Sequence, residues 1–465
     1  MHLIFDALAR HARETPDAPA VRAGDVSLTW GKFARRVAQA AEGFARGPRT
    51  VGLALSGIEY AIGDLGATLA GCRVVPVPAF FSPGQRQHLL SDAEATLIET
   101  LPRGAAEALP DYRGGAERVI YTSGTTGTPK GVVLGDRQIT ASIEGLAAAL
   151  RPTAADRYLS ALPRSQLLEQ ICGVFLPVLA GAEAVTCPEG LAALMGGDGP
   201  AFAQAAARLD PTITVLAPRQ LALWVAALEA GEAVAPRGLR YIAVGGAPVT
   251  PRLIEAAHRL GLPAAEGYGL SEACSVVALT PPEAVFPGGG MRPVAGITVE
   301  IEAGEIVVSG PTVMNGYLGA PGAPARWHTG DLGRIDGGRL WVEGRRDALI
   351  VRASGRNISP EWVEAAALAD PAILAAALVD VEEALVLLLA PTRTPDLTGL
   401  AARLEDLPEY ARPTHFMIAD PRTAGLIRAS GTADRRTAAA VVADNPVAWC
   451  PFRTSARARG ERIGA

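Results

Sequence analysis

The chain has 465 residues, 20% charged and 49% hydrophobic, with 43 Lys and Arg against 48 Asp and Glu for a net charge of −5. At roughly 100–200 residues per domain, that length holds about two to four domains, each able to bury a core. The acidic balance excludes an electrostatic nucleic-acid binder, and the apolar content leaves little room for a long disordered tail.

Periodicity predicts alternating elements from Leu3 to Ile98. LIFDALARHARE has helical spacing, PAVRAG and VSLTW are short strands, KFARRVAQAAEGFA is a helix, TVGLAL a strand, YAIGDLGATLAG a helix and RVVPVPAF a strand. The rhythm returns at RYLSALP, AEAVT, TITVLAP and LRYIAVGG, each beside a helical segment. Such units imply a largely parallel sheet covered by helices. From Pro293 to Glu343 the helical pattern stops, and ITVEIEAGEIVVSG and GRLWVEG read as antiparallel strands joined by Gly turns. After Gly344 the texture becomes that of a compact α+β unit of roughly 100 residues. The expected fold class is α/β: a large N-terminal domain, residues 1–345, of mostly parallel sheets with helices plus a small β layer, then a small α+β domain, residues 346–465.

The five cysteines, Cys72, Cys172, Cys187, Cys274 and Cys450, form no CxxC pair, which fits a reducing compartment and argues against a zinc module. Residues 1–10 include Asp6 and lack a basic start leading into an apolar run, so no signal peptide is expected and the cytoplasm is the expected location. The most apolar stretch, Ile171 to Ala182, is broken by Pro177 and too short to span a bilayer, so no membrane span is expected. All but two of the basic residues are arginine, which makes Lys32 and Lys130 exceptions to a strong bias.

The strongest chemical signal is VIYTSGTTGTPKGVVL, Val119 to Leu134, where an apolar strand runs into a Ser, Thr and Gly loop and a helical segment follows near Asp136. Gly124, Gly127 and Gly131 remove side chains so that backbone N–H groups can approach phosphate oxygens. Ser123, Thr125, Thr126 and Thr128 add hydroxyls, and Lys130 a point charge. Gly131 after the lysine separates the pattern from the P-loop GxxxxGK[ST]. A flexible linker is the bland alternative, but linkers seldom sit between an apolar strand and a single retained lysine.

With these residues the chain resembles the adenylate-forming enzymes: acyl-CoA synthetases, adenylation domains of peptide synthetases, and luciferases. YTSGTTGTPKGV is similar to their phosphate-binding signature almost letter for letter, and further motifs follow in the family's order along nearly the whole chain. The resemblance implies that Thr122, Ser123, Gly124, Thr125, Thr126, Gly127 and Lys130 hold the triphosphate of ATP. VGGAPV, with Gly245, Gly246 and Ala247, would border the adenine. EGYGLSEA resembles the Y-G-x-[ST]-E motif, placing Glu266, Gly267, Tyr268 and Gly269 at the nucleotide, Ser271 on the α-phosphate, and Glu272 with Thr126 on Mg²⁺. WHTGDLG resembles the TGD motif, so Asp331 would accept from both ribose hydroxyls. GRRDALIVRASGRNISPEWVE resembles the hinge of the family's small domain. Arg345 would approach ribose and phosphate, Asp347 is the point about which a mobile lid turns, and Ser354 to Pro360 would face the thiol acceptor. Taken alone, Glu272 reads as a solvated carboxylate at a helix start, Asp331 as a turn former and the Gly pair as a turn.

One motif departs from the family. LIRASGTADRR, Leu426 to Arg436, stands where the family has S-G-K-x-D/N-R, with Thr432 at the usual lysine. The arginine bias would turn Lys into Arg, not Thr. Compensation by Arg428, Arg435 or Arg436, a shifted register, and an enzyme devoted to a later half-reaction are the open alternatives. The implied catalytic positions are Lys130, Glu272, Arg345 and Thr432.

The implied reaction is activation of a small-molecule carboxylic acid by MgATP to acyl-AMP with release of pyrophosphate, then transfer to a thiol of CoA or of a phosphopantetheine-bearing acyl carrier protein. ALPRSQLLEQICGVFLPVLAG shows no match to the aspartate that peptide-synthetase domains use for an amino group, and its apolar run with TVLAPRQLALWVAAL suits a hydrophobic, fatty acyl chain. Cys274 reads as a small buried residue and His328 as structural. Competing readings are a non-thiol acceptor, impaired adenylation, and a degenerate nucleotide-binding regulator or scaffold, which Thr432 favours and the intact ATP-side motifs disfavour.

Overall fold

The computed structural model describes residues 1–122, 129–284, 289–320, 322–352, 356–382, 384–427 and 432–452. Among these residues the alternating pattern forms two mostly parallel sheets. The larger runs, in spatial order, through Arg292–Pro293, Ser275–Leu279, Ala264–Leu270, Tyr241–Val244, Ile213–Leu216, Arg157–Ser160, Glu183–Thr186, Pro19–Ala23 and Val26–Thr29. Every pairing from Ala264–Leu270 to Pro19–Ala23 is parallel, and antiparallel partners close both edges. The second sheet orders Thr96–Ile98, Thr50–Leu53, Arg73–Pro76, Glu117–Thr122 and Lys130–Gly135, parallel until the last hairpin.

Strands buried on both faces need continuous apolar runs, and Ile213–Leu216 is buried at every position. The helix Gly57–Leu69 is likewise apolar nearly all round and buried at Ile58 and from Tyr60 to Leu69. Its Asp64 and Thr68 are matched by buried Arg118, which donates to Asp64 Oδ1 at 2.7 Å, Gln170 Oε1 at 2.9 Å and Thr68 Oγ1 at 3.2 Å. The charge inside the core is therefore paired and hydrogen-bonded, as burial demands.

The helix-free stretch forms an antiparallel sheet of Thr298–Glu302, Glu305–Ser309, Arg326–Asp336 and Arg339–Arg345. The smaller C-terminal domain is built on the hairpin Ile373–Val381 and Ala384–Pro391. Ala376 and Leu378 pack with Val363 and Leu400 of the helices Pro360–Leu368 and Leu397–Leu404, while Ala375, Ala377 and Val379 pack with Ala438 and Val442 of Arg435–Ala443. Helices cover both faces, which is why this hairpin reads as unbroken apolar sequence. Contacts between the domains include Arg219 Nη1, which donates to the Ile373 carbonyl at 2.9 Å, and Arg252 Nη2, which donates to Asp406 Oδ1 at 2.6 Å. Among the described residues no helix is long and apolar enough to cross a membrane.

At the entry to Arg157–Ser160, Asp156 accepts from Arg240 Nε at 2.8 Å and Nη2 at 2.9 Å, from Thr212 Oγ1 at 2.7 Å and from the Thr153 amide at 2.8 Å. Burial opposes its ionisation, but the Arg240, Thr212 and Thr153 hydrogen bonds outweigh it and hold the carboxyl down at about 2. A carboxyl depressed on folding adds stability above its unfolded value near 3.9, and that stability is lost as pH falls toward the folded value. Asp156→Ala is expected to cost about 2–3 kcal/mol at pH 7, less than a fully buried pair because Arg240 reaches solvent. The gap between variant and parent should shrink between pH 4 and 2 in denaturant titrations, and an equal gap at pH 7 and 2 would contradict the pairing.

Candidate active site

In open parallel sheets, ligands bind beyond the carboxyl ends of the strands. A cavity of about 400 Å³ runs along the larger sheet from Asp156, Ile213 and Tyr241 at strand starts to Ala217, Gly245 and Gly267 at the carboxyl ends. Leu146, Leu150, Tyr158, Leu162, Leu167, Cys172 and Leu176 make its apolar side. Gly245, Gly246, Ala247, Gly267, Tyr268, Gly269 and Ser271 make the other, and Leu368, Leu374 and Thr432 reach it from the C-terminal domain. The sequence motifs at 244–249 and 266–273 thus meet in one place because their strands, Tyr241–Val244 and Ala264–Leu270, are parallel neighbours.

Glycine is required on this floor. A Cβ on Gly245 would stand 2.7 Å from the Gly267 carbonyl oxygen, so the two strand ends approach as bare backbone. A Cβ on Gly269 would fall 1.7 Å from the Ser275 carbonyl oxygen, where the ladder shifts register after Tyr268. Next to this floor, burial pushes the Glu266 carboxyl up.

Tyr268 Oη donates to Asp331 Oδ2 at 2.6 Å, and Arg345 Nη1 donates to Asp331 Oδ1 at 3.2 Å. Asp331 and Arg345 are cross-strand partners in the antiparallel sheet, so strand register sets their meeting. Arg345 Nε continues to Asp347 Oδ1 at 3.1 Å. Burial pushes the Asp331 carboxyl up, opposed by the hydrogen bonds from Tyr268 and the Arg345 charge. A carboxylate offers about four acceptor sites. Two are engaged, which leaves capacity for two hydroxyls, as a ribose would present.

Glu272 Oε1 accepts from Tyr317 Oη at 2.9 Å, and Lys130 Nζ lies 5.4 Å from the centroid of the same ring. The segment carrying Tyr317 is pinned from both sides: Met314 N donates to the Glu272 carbonyl at 2.8 Å, Asn315 N to the Val133 carbonyl at 2.9 Å, and Leu318 N to the Gly131 carbonyl at 2.7 Å. Tyr317 thereby draws the lysine strand and the glutamate turn together. Sequence reading missed it, because nothing in GYLG marks its tyrosine apart from an ordinary one.

Thr122 and Lys130 are cross-strand partners, so the loop between them leaves and re-enters one hairpin. Ser123, Gly124, Thr125, Thr126, Gly127 and Thr128 lie outside the described residues, and with them the expected phosphate contacts and the Thr126 metal ligand. Among the described residues no group of three or more His, Cys, Asp or Glu is placed to hold a metal. Glu272 therefore offers one carboxylate. One or two carboxylates plus phosphate oxygens is the donor set Mg²⁺ takes with nucleotides, so these residues fit a magnesium ion that arrives on ATP.

Thr432 lines the cavity, where the family pattern has lysine. Arg435 is committed elsewhere: its Nη2 donates to Glu364 Oε1 at 2.8 Å and Oε2 at 2.9 Å inside the C-terminal domain. Arg428 lies outside the described residues, as does Ser354 in the expected acceptor-facing loop. Cys274 is buried with its thiol pushed up to about 12 by burial, and its carbonyl accepts from Ser142 Oγ at 2.8 Å. His328 Nδ1 sits 3.3 Å from Glu305 Oε2 on the antiparallel sheet. Arg219, also unmarked in the sequence, is among the residues that line the cavity.

Residues 8–114 and 118–318 match the family model described as AMP-binding enzyme. The 2-succinylbenzoate–CoA ligase of Bacillus licheniformis is 28% identical over 81% of this chain and 86% of its own length. A feruloyl-CoA synthase of an Amycolatopsis species is 28% identical over 80% and 84%. The structure of o-succinylbenzoate CoA synthetase from Bacillus subtilis, in complex with an acyl-adenylate intermediate, superposes with a TM-score of 0.77 at 24% identity, covering 93% of this chain and 97% of that one.

Proposed function

The chain belongs to the AMP-binding enzyme family, and on that premise we propose that it is an ATP-dependent acid–CoA ligase acting on an aromatic carboxylic acid. One observation carries this reading: the largely apolar cavity of about 400 Å³ is also lined by Gly245, Tyr268 and Ser271, the residues the motifs assign to the nucleotide. That volume falls in the range of small-ligand pockets, about 300–1,000 Å³. The two relatives described above are named for aromatic acids, which gives the fatty-acyl expectation no support. They are also named as CoA enzymes, so CoA rather than a carrier protein is the acceptor assigned.

In the first step a carboxylate oxygen of the acid attacks the α-phosphorus of ATP, the bond to pyrophosphate breaks, and acyl-AMP forms. In the second the CoA sulfur attacks the acyl carbon, the bond to the AMP oxygen breaks, AMP leaves with the electron pair, and the thiol proton passes to solvent. Asp331 and Arg345 hold the ribose, Lys130 and the loop after Thr122 the phosphates, and Glu272 the magnesium ion, which supplies neutralisation of phosphate charge. Ser271 faces the α-phosphate. Catalysis is positioning and charge neutralisation, with no protein nucleophile. The C-terminal domain, whose Leu368, Leu374 and Thr432 line the cavity, forms the lid, with Asp347, tied to Arg345, as its hinge.

The test is ATP–pyrophosphate exchange across a panel of aromatic and straight-chain fatty acids. Aromatic acids are expected to exceed the fatty acids in kcat/KM by about tenfold or more, or roughly 1.4 kcal/mol. Higher exchange with fatty acids would reverse the substrate assignment.

A further inference from the structure

Along the cavity the wall supplied by the sheet is graded in side-chain size. Alternate residues of a strand share a face. In Tyr241–Val244 and the glycine after it, Tyr241, Ala243 and Gly245 line the cavity, while Ile242 and Val244 pack into a separate core. Register sets Tyr241 beside Ile213, and Ile213 beside Tyr158, in one row across three strands, with Val215 beside Ala243 one row nearer the nucleotide. From the nucleotide edge inward the wall therefore passes from bare backbone to a methyl group to a row of Tyr, Ile and Tyr. At about 3.3 Å per residue, that row lies about 13 Å from Gly245. The space reaches it, since Ile213 and Tyr158 keep 6% and 4% exposure.

The far end offers a ligand no polar partner. Tyr241 Oη donates to the Thr280 carbonyl at 2.6 Å and Tyr158 Oη to Glu169 Oε2 at 2.9 Å, so both hydroxyls are committed to the protein. Leu150, Pro152, Pro177 and Ala182 continue the wall past the row. Asp156 is the one charged side chain at that end among the described residues lining it, and Arg240, Thr212 and the Thr153 amide already occupy its oxygens.

Resting on the acid–CoA ligase reading, we infer that the substrate is an aromatic acid drawn out by a linear apolar tail. The ring, next to the carboxylate being activated, lies over Gly245 and Ala243, where small residues leave room for it. An alkyl tail on the far side of the ring runs over Ile213, between Tyr158 and Tyr241, which makes Ile213 a specificity residue. A polar group at the remote end would lose its water there and find no replacement partner.

The experiment compares kcat/KM in pyrophosphate release for benzoate, 4-butylbenzoate and 4-(3-hydroxypropyl)benzoate, whose tail matches the butyl group in length, with the full-length parent and Ile213→Phe. Each buried methylene is worth about fourfold, so the parent is expected to favour 4-butylbenzoate over benzoate by about 100-fold. The hydroxypropyl acid should lose most of that gain. Ile213→Phe fills the row and should lower the ratio of 4-butylbenzoate to benzoate by about tenfold or more. Both acids are measured on one preparation, so any loss of folded enzyme cancels in the ratio. A parent that gains nothing from the butyl tail, an equal gain from the hydroxypropyl tail, or an unchanged ratio in Ile213→Phe would overturn the proposal. Decanoate exceeding every aromatic acid would overturn the aromatic assignment, and absence of pyrophosphate release with every acid would overturn the ligase reading on which the proposal rests.

Discussion

Asp331→Ala is expected to lower kcat/KM for ATP by about a thousandfold, with most of the loss in KM. Two hydrogen bonds from ribose hydroxyls to a charged acceptor are worth about 1.5–2 kcal/mol each, and about 4 kcal/mol in all is a factor of 10³. The variant also strips Tyr268 Oη and Arg345 Nη1 of their shared acceptor, so both lose their aim. Folding is not expected to be the cause of the loss. Burial raises the Asp331 carboxyl on folding, and a carboxyl with a raised folded pKa subtracts stability as pH rises through that window instead of adding it. Asp331→Asn should fall between parent and alanine, because its amide oxygen still accepts but the charge opposite Arg345 is gone. Steady-state kinetics against ATP checks this, and a loss below tenfold with KM unchanged would remove Asp331 from the ribose site.

Thr432→Lys is expected to raise the rate of acyl-AMP formation by about 100-fold. A cation aimed at charge that develops on the α-phosphoryl group and the acid carboxylate is worth about 3 kcal/mol in a site shielded from water. Thr432 already lines the cavity, so a lysine there needs no rearrangement of the backbone to point inward. The neighbouring cation does not substitute for it, since Arg435 is held between the two oxygens of Glu364. The thioester step should change little, because the gain belongs to adenylation. Rapid-quench measurement of acyl-AMP in one turnover separates the two steps. An unchanged or slower adenylation rate in the lysine variant would mean that the parent supplies the missing charge by another route.

The parallel architecture was legible because strands such as Ile213–Leu216 and Tyr241–Val244 are short apolar runs bounded by turn residues and followed by helical spacing. Its division into two sheets was not, since strand order depends on contacts between distant segments such as Arg118 with Asp64 and Gln170. The same distinction runs through the site. Asp331, Arg345, Tyr268 and Glu272 stand in motifs whose order along the chain resembles a known pattern, and the structure joins the first three by direct hydrogen bonds. Tyr317 and Arg219 lie in segments with no distinctive spacing. Tyr317 matters because the segment around it pairs with the Lys130 strand and the Glu272 turn. Arg219 lines the cavity because the sheet places its helix start at the carboxyl end of Ile213–Leu216. A local pattern carries neither fact.

The central claim is tested most directly by mass spectrometry of the products after incubation with MgATP and an aromatic acid, with and without CoA. The account predicts acyl-AMP and pyrophosphate without CoA, and acyl-CoA with AMP when CoA is present. ATP that is bound but never cleaved, or acyl-AMP that CoA leaves untouched, would contradict it.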